Sequence, residues 1–296
     1  MRSLARTEPG KRAKVNSRLA LASLAGVALL VLGSSGASAA ASAVPLGTAG
    51  SFVVLAGSGV TATGPNTLNG DLGTFPTTTV TGTGSITVTG TDHGGDGVTQ
   101  GAKSDLVNAY DNAAGQGPTM PIVANLGGQT LVPGVYNQAA TMLVTGVLTL
   151  DAQGDPNAVW VFQAGSDLTV ASGSSVSLVN GAQSCHIYWQ VTSSASLGTN
   201  SHFRGTIIAL TSITLATGAT LTGRALARNG DVTLDSNTIT RPGCTTGGAG
   251  GLGTGDGSTA RSATAGGLAL VLGVVGVGAV TLGVLYGLRR RRGSDA

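Results

Sequence analysis

Short runs in which apolar residues flank a single hydroxyl recur through the second half of this chain. Val147-Leu148-Thr149-Leu150, Asp167-Leu168-Thr169-Val170, Ser194-Ala195-Ser196-Leu197, Ser212-Ile213-Thr214-Leu215 and Asp231-Val232-Thr233-Leu234 share the pattern. Side chains alternate between the two faces of a strand, so Leu168, Val170, Ile213 and Leu215 point to a core while Thr169 and Thr214 point to water. The runs return every ~18 to 27 residues, a spacing that fits the coils of a solenoid with extra residues looped out of the longer ones.

A second element follows each strand. Ser172-Gly173, Thr199-Asn200, Thr217-Gly218 and Ser236-Asn237 read as one column, and Gly or Asn there suits a corner that needs positive φ. Val176, Phe203, Leu221 and Ile239 then close each turn with an apolar side chain. The stretch "GVTATGPNTLNGDLG" (59–73) parallels "SITLATGATLTG" later in the chain, so the N-terminal part holds a related coil. Stacked coils bury one continuous apolar column and pair each strand with its neighbours, so a narrow core suffices without many large aromatics. One segment breaks the pattern. From Thr99 to Ala114, apolar Ala102, Leu106, Tyr110 and Ala113 recur at helical spacing, with Lys103, Asp105 and Asp111 off that stripe and Gly115 as a stop. The expected fold is all-β dominated, a β-solenoid with one helix lying along a face and a C-terminal transmembrane helix.

The chain ends carry different signals. Residues 1–43 have a charged start, an apolar stretch from Leu19 to Leu32 and small residues up to Ala43, the pattern of a secretory signal peptide; a retained signal anchor is the alternative. Leu268 to Leu288 is an uncharged apolar run long enough to cross ~30 Å of hydrocarbon. The basic tail 289–296, with Arg289 to Arg292, follows at once and stays cytoplasmic, so the body is expected outside the cell on a single-pass anchor. Gly283 and Gly287 are spaced as in helix dimers, though glycine is common in membrane helices anyway. Residues 245–267 form a Gly/Ser/Thr-rich linker between the anchor and the body at 44–244.

Composition narrows the function. The 296-residue chain has 10% charged and 3% aromatic residues, far from an ordinary mixed enzyme domain. Its pI near 9.1 is a property of the ends: between residues 44 and 266 there are six basic and eleven acidic side chains. A nucleic-acid partner is therefore not expected. Gly248-Ala249-Gly250-Gly251-Leu252-Gly253 formally matches a dinucleotide-binding loop, but no strand precedes it and no helix follows. Asp167, Asp231 and Asp235 with Arg228 could form an acid, base and cation set for glycan cleavage, yet Asp at turn edges is more often a local cap. His93, His186 and His202 lack ligand spacing, and no hydrolase or metalloprotease motif occurs. In "CHIYWQV" one of Tyr188 and Trp189 is expected to pack inward. Cys185 and Cys244 are the only cysteines, and an even count in an exported domain argues for a disulfide between them.

The segments "LGTAGSFVVLAGSGVTATGPNTLNGDLGT", "AKSDLVNAYDNAAG", "LVPGVYN", "LTLDAQGDPNAVWVFQ" and "ATLTGRALARNGDVTLDSNTI" together resemble the ice-binding-like β-solenoid family of microbial antifreeze proteins and adhesin-like surface domains. The resemblance covers residues 44–244. It implies a right-handed, discontinuous three-sided β-helix with the helix alongside and an N-terminal coil inserted out of sequence order. It implies no enzyme activity, no cofactor and no metal. For ice-active relatives it implies a flat face bearing Thr-Ala/Gly-x-Thr/Asn repeats. Thr63-Gly64-Pro65-Asn66 and Thr217-Gly218-Ala219-Thr220 match; Ser172-Gly173-Ser174-Ser175 matches with Ser for Thr; Thr199-Asn200-Ser201-His202 and Ser236-Asn237-Thr238 depart. The resulting site is Thr63, Asn66, Ser172, Ser175, Thr199, Thr217, Thr220 and Ser236. Two functions follow: a membrane-anchored protein that binds the ice crystal surface, or a surface adhesin or envelope protein on the same fold that meets another extracellular ligand.

Overall fold

The repeat is realised as parallel strands stacked coil on coil. The computed structural model describes residues 41–117 and 119–244, all in one compact unit, Met1–Ala249. Most of the signal segment, the linker and the apolar run 268–288 with Gly283 and Gly287 lie outside the described residues. No described helix is long and apolar enough to cross a membrane.

One side of the solenoid is a seven-stranded sheet in the order Met142–Val144, Leu168–Val170, Ala195–Leu197, Ile213–Leu215, Asp231–Asp235, Gly59–Thr63, Val80–Thr81. Every pairing in it is parallel and without a register shift. A one-residue slip would turn the buried Leu168, Ile213, Leu215, Val232 and Leu234 out to water, so burial alone fixes the register. Gly59–Thr63 sits beyond Asp231–Asp235, so the N-terminal coils continue the stack out of sequence order, as the family resemblance implied. One reading of the repeat is corrected. Val147–Asp151 pairs with Ser175–Val179 on a different side, and Met142–Val144 takes the place beside Leu168–Val170. Leu143 stands there where the other coils have a hydroxyl, which hid the match.

A fourteen-stranded sheet forms the other two sides. The eight-residue strands His202–Ala209 and Thr220–Ala227 run continuously from one side to the next. Gly205 faces Gly223 across this passage, and a Cβ on Gly223 would lie 1.8 Å from the carbonyl oxygen of Gly205. Only glycine lets the two backbones approach so closely.

Two apolar layers hold the stack. Inside the coils, Val176, Phe203, Leu221 and Ile239 are buried as the pattern requires. Tyr136, Phe162, Trp189 and Phe203 stack in successive coils with ring centroids 5.5, 4.0 and 4.8 Å apart. Such pairs add about 0.5–1.5 kcal/mol each beyond their buried area. The second layer lies between the outer surface of one side and the helix Gly97–Gly115, where Leu55, Val161, Tyr188, Ile208 and Leu226 meet Ala102, Leu106, Ala109, Tyr110 and Ala113. Tyr188 and Trp189 are therefore both buried, on opposite faces of one strand. The helix begins at Gly97 because the Asp96 carboxylate accepts the Thr99 N–H at 2.9 Å. Lys103, placed off the helix stripe by its charge, is buried: its Nζ donates to the carbonyls of Ala227 at 2.7 Å and Arg228 at 2.6 Å. The long aliphatic stem lets the ammonium reach the end of a strand that would otherwise leave these carbonyls open.

Cys185 and Cys244 form a disulfide with Cα atoms 5.7 Å apart. After Ile239 the chain pairs with Asn69 through the Arg241 N–H and then returns to the coil of Cys185. The bond thus straps the segment after Arg241 to an inner coil.

Candidate functional site

On a strand whose alternate side chains are buried, the remaining ones form columns across the sheet. On the seven-stranded side the central outward column reads Leu143, Thr169, Ser196, Thr214, Thr233, Thr61, Thr81, each opposite the next. Six consecutive hydroxyls thus stand at the ~4.8 Å strand spacing. Among the described residues Thr169, Ser196, Thr214, Thr61 and Thr81 make no side-chain hydrogen bond to the protein, while Thr233 donates to Asp231 at 3.1 Å. Threonine is stiff at χ1 and presents a methyl beside its hydroxyl, so a column of it is a fixed array of polar and apolar points.

The columns on either side are occupied differently. Asp167 accepts the Ser194 N–H at 3.1 Å, and Asp231 accepts the Ser212 hydroxyl. The Ser194 amide holds the Asp167 carboxyl below the usual carboxylate range, and the Ser212 hydroxyl does the same for Asp231. Asp235 accepts from the hydroxyls of Thr217 and Ser236. Arg228 pairs with Asp111 at 3.3 Å and lies over the Tyr110 ring, on the helix side. The acid, base and cation set considered for glycan cleavage is therefore split between different coils and sides, with each acid engaged locally. Among the described residues Cys185, His186 and Cys244 cluster as metal ligands could, but both sulfurs are spent in the disulfide.

The eight residues assigned from the family repeat fall into three groups. Ser172, Thr199, Thr217 and Thr63 share a column at the corner between the seven-stranded side and its neighbour. The N–H groups of Gly173, Asn200 and Ser236 donate to the carbonyls of Thr199, Thr217 and Thr63, and that of Gly218 to Asp235. Gly173, Asn200, Gly218, Ser236 and Gly64 all have φ between 53° and 72°. The coil containing Ser236 was thus read one residue late: Ser236 occupies the left-handed position, and Asp235 stands in the threonine column. These corner residues border the face and do not occupy its middle.

Ser175 and Thr220 begin the adjoining side, both opposite His202. Asn66 is withdrawn from the surface. It is buried, its amide donates to the carbonyls of Thr63 at 3.0 Å and Gly64 at 2.9 Å, and its Oδ1 accepts the Asn237 N–H at 2.8 Å. Pro65 adds one residue to this corner, so Thr67 and not Asn66 lies opposite Thr238, which lies opposite Thr220. The central column of Thr169, Ser196, Thr214, Thr233, Thr61 and Thr81 lies outside the eight residues assigned from the family repeat. Its signal was the apolar-hydroxyl-apolar run itself, read only as strand patterning.

The same organisation occurs in known proteins. The profile of the ice-binding-like family matches residues 54–240. An ice-binding protein of Nostoc sp. (strain HG1) is 47% identical over 202 residues, 68% of this chain and 75% of that protein. An ice-binding protein of Flavobacterium frigoris (strain PS1) is 34% identical over 219 residues, 67% of this chain and 76% of that protein. The crystal structure of an ice-binding protein from an Antarctic biological consortium is similar with a TM-score of 0.67 and 46% identity, over 69% of this chain and 93% of that one. This chain belongs to the ice-binding-like family.

Proposed function

We propose that this chain is a cell-surface ice-binding protein whose seven-stranded side contacts the crystal, with the body held outside the membrane by residues 268–288. The observation that carries the reading is the unbroken hydroxyl column Thr169, Ser196, Thr214, Thr233, Thr61, Thr81, in register over six strands and almost free of protein partners. Such an array can hold waters by hydrogen bonds while its methyl groups order the water between them. A surface of this kind acts by its regularity, and the reading needs no catalytic residue or cofactor. The fold would be right-handed, as in the family, and its role would be holding the cell to ice or controlling ice growth around it.

Ice partitioning of the purified full chain tests this reading. Thr214 is exposed while Ile213 and Leu215 beside it are fully buried. Thr214→Tyr would push a ring through the ordered water layer, and the change in stability should stay within ~0.5 kcal/mol. The wild type should enter growing ice, and the variant should be excluded with its melting temperature nearly unchanged. Exclusion of both from ice would favour the adhesin, a reading supported by the carboxylates of Asp167, Asp231 and Asp235 that border the face.

A further inference from the structure

A second array of hydroxyls stands on the adjoining side of the same coils. Thr220, Thr238, Thr67 and Thr87 lie opposite one another across four consecutive strands, and two residues further along Thr222 lies opposite Thr240. The hydroxyls of Thr67, Thr87, Thr222 and Thr238 have no protein partner among the described residues. The array stops where His202 takes the place of the threonine opposite Thr220 and Arg204 the place opposite Thr222. It therefore covers only the end of the stack at which the N-terminal coils are inserted. The same four coils carry Thr214, Thr233, Thr61 and Thr81 on the seven-stranded side. The two arrays flank one corner, whose column in these coils holds Thr217, Asp235 and Thr63.

We infer that this second array also contacts ice, so that four coils present two crystal-binding planes meeting at a corner. The inference rests on the ice reading above. Its chemistry is the same on both sides of the corner: neutral hydroxyls with adjoining methyls, on stiff rotamers, at a spacing set by the backbone ladder. No charged side chain lies in either column of the array within these four strands. Because the two sides differ in orientation, one molecule can dock on crystal planes that a single flat face cannot share.

Staining of a single-crystal ice hemisphere with the fluorescently labelled full chain separates the possibilities. The wild type should mark two families of planes. Thr238→Tyr should erase one family and Thr214→Tyr the other, with melting temperatures close to the wild type. Thr87→Tyr repeats the first arm should Thr238→Tyr fail to fold. If Thr238→Tyr and Thr87→Tyr leave the pattern intact while Thr214→Tyr erases all of it, the second plane is refuted and the seven-stranded face stands alone. Loss of all staining from either side's variant alone would also refute it, since that is the behaviour of one joint plane. A wild type that marks no plane would remove the ice reading and this inference together.

Discussion

Lys103 lets a buried charge be tested by pH alone. Its ammonium lies beneath the helix, bonded to the carbonyls of Ala227 and Arg228, with the Arg228 side chain as the neighbouring cation. Burial, and then the Arg228 charge, lowers its pKa from 10.5 to about 8. The unfolded chain keeps this proton up to its ordinary pKa, whereas the folded chain gives it up near 8. Between those values the unfolded state binds more protons, so stability rises with pH. The gain is absent well below pH 8 and amounts to about 1.4 kcal/mol at pH 9, close to one pKa unit. Burial raises the pKa values of Tyr136 and Tyr188, which keeps both phenols neutral within that window. For a domain of this size 1 kcal/mol shifts the melting temperature by about 2–4 °C, so a rise of roughly 3–5 °C is expected from pH 7.5 to pH 9. Lys103→Met should melt lower at pH 9, because two carbonyls lose their donor, and should show no rise over the same interval. A wild-type melting temperature that is level or falling, or a rise that survives in Lys103→Met, would refute the reasoning. Thermal melts followed by circular dichroism suffice.

Two further outcomes can be checked directly. Replacing both Cys185 and Cys244 by Ser opens a loop closed over a separation of 59 residues, which should cost about 4 kcal/mol by chain entropy and free the strap after Arg241; denaturant titration of oxidised wild type and double variant measures the difference. Ser42 exchanges two hydrogen bonds with Gln116, at 3.0 and 2.9 Å, and Ala41 packs on the helix layer, so removal of a leader should leave a chain that begins no later than Ala41; N-terminal sequencing that returns Val44, as cleavage after Ala43 would give, contradicts this.

The parts of this fold that sequence periodicity reveals are those in which each coil repeats the same local solution. Alternation along Leu168–Val170 and Ile213–Leu215, the left-handed Gly173, Asn200 and Gly218, the helix stripe and the cysteine pair all follow from rules that act on a few residues at a time. The misreadings arise where a neighbouring coil decides. Ser236 adopts a left-handed φ of 56° because its N–H is held by Thr63 of an N-terminal coil, a pairing invisible along the chain. Asn66 looks like a surface residue in Thr-Gly-Pro-Asn, yet the extra Pro65 turns its amide onto the corner carbonyls. Lys103 carries a charge that argues for exposure until strand ends some 124 residues away supply two acceptors. The family repeat falls at the corner and not at the strand centres for a related reason. Motif matching favours the corner, where turn chemistry demands particular residues, and passes over the strand centre, where only the outward direction of a hydroxyl matters.

The same contrast separates the hydroxyls that the fold consumes from those that it leaves free. At the corner, polar side chains are consumed by the fold: Thr217 serves Asp235, Thr63 leans on the Leu234 carbonyl at 3.4 Å, and Asn66 and Asn237 close the turns. At the strand centres the neighbouring coils satisfy the backbone, and the inward residues supply the packing. A hydroxyl placed there has no duty to stability, and so it remains free to bind water in a pattern set by the ladder. The aromatic stack from Tyr136 to Phe203 and the close Gly205–Gly223 passage hold that ladder to one spacing. Regularity of the buried layer is thereby transmitted to the exposed one. Insertion of the N-terminal coils beyond Asp231–Asp235 extends it further, because Thr61 and Thr81 lengthen the seven-stranded column while Thr67 and Thr87 lengthen the adjoining one. A chain folded in simple sequence order would end both columns at Asp231–Thr240, two coils sooner.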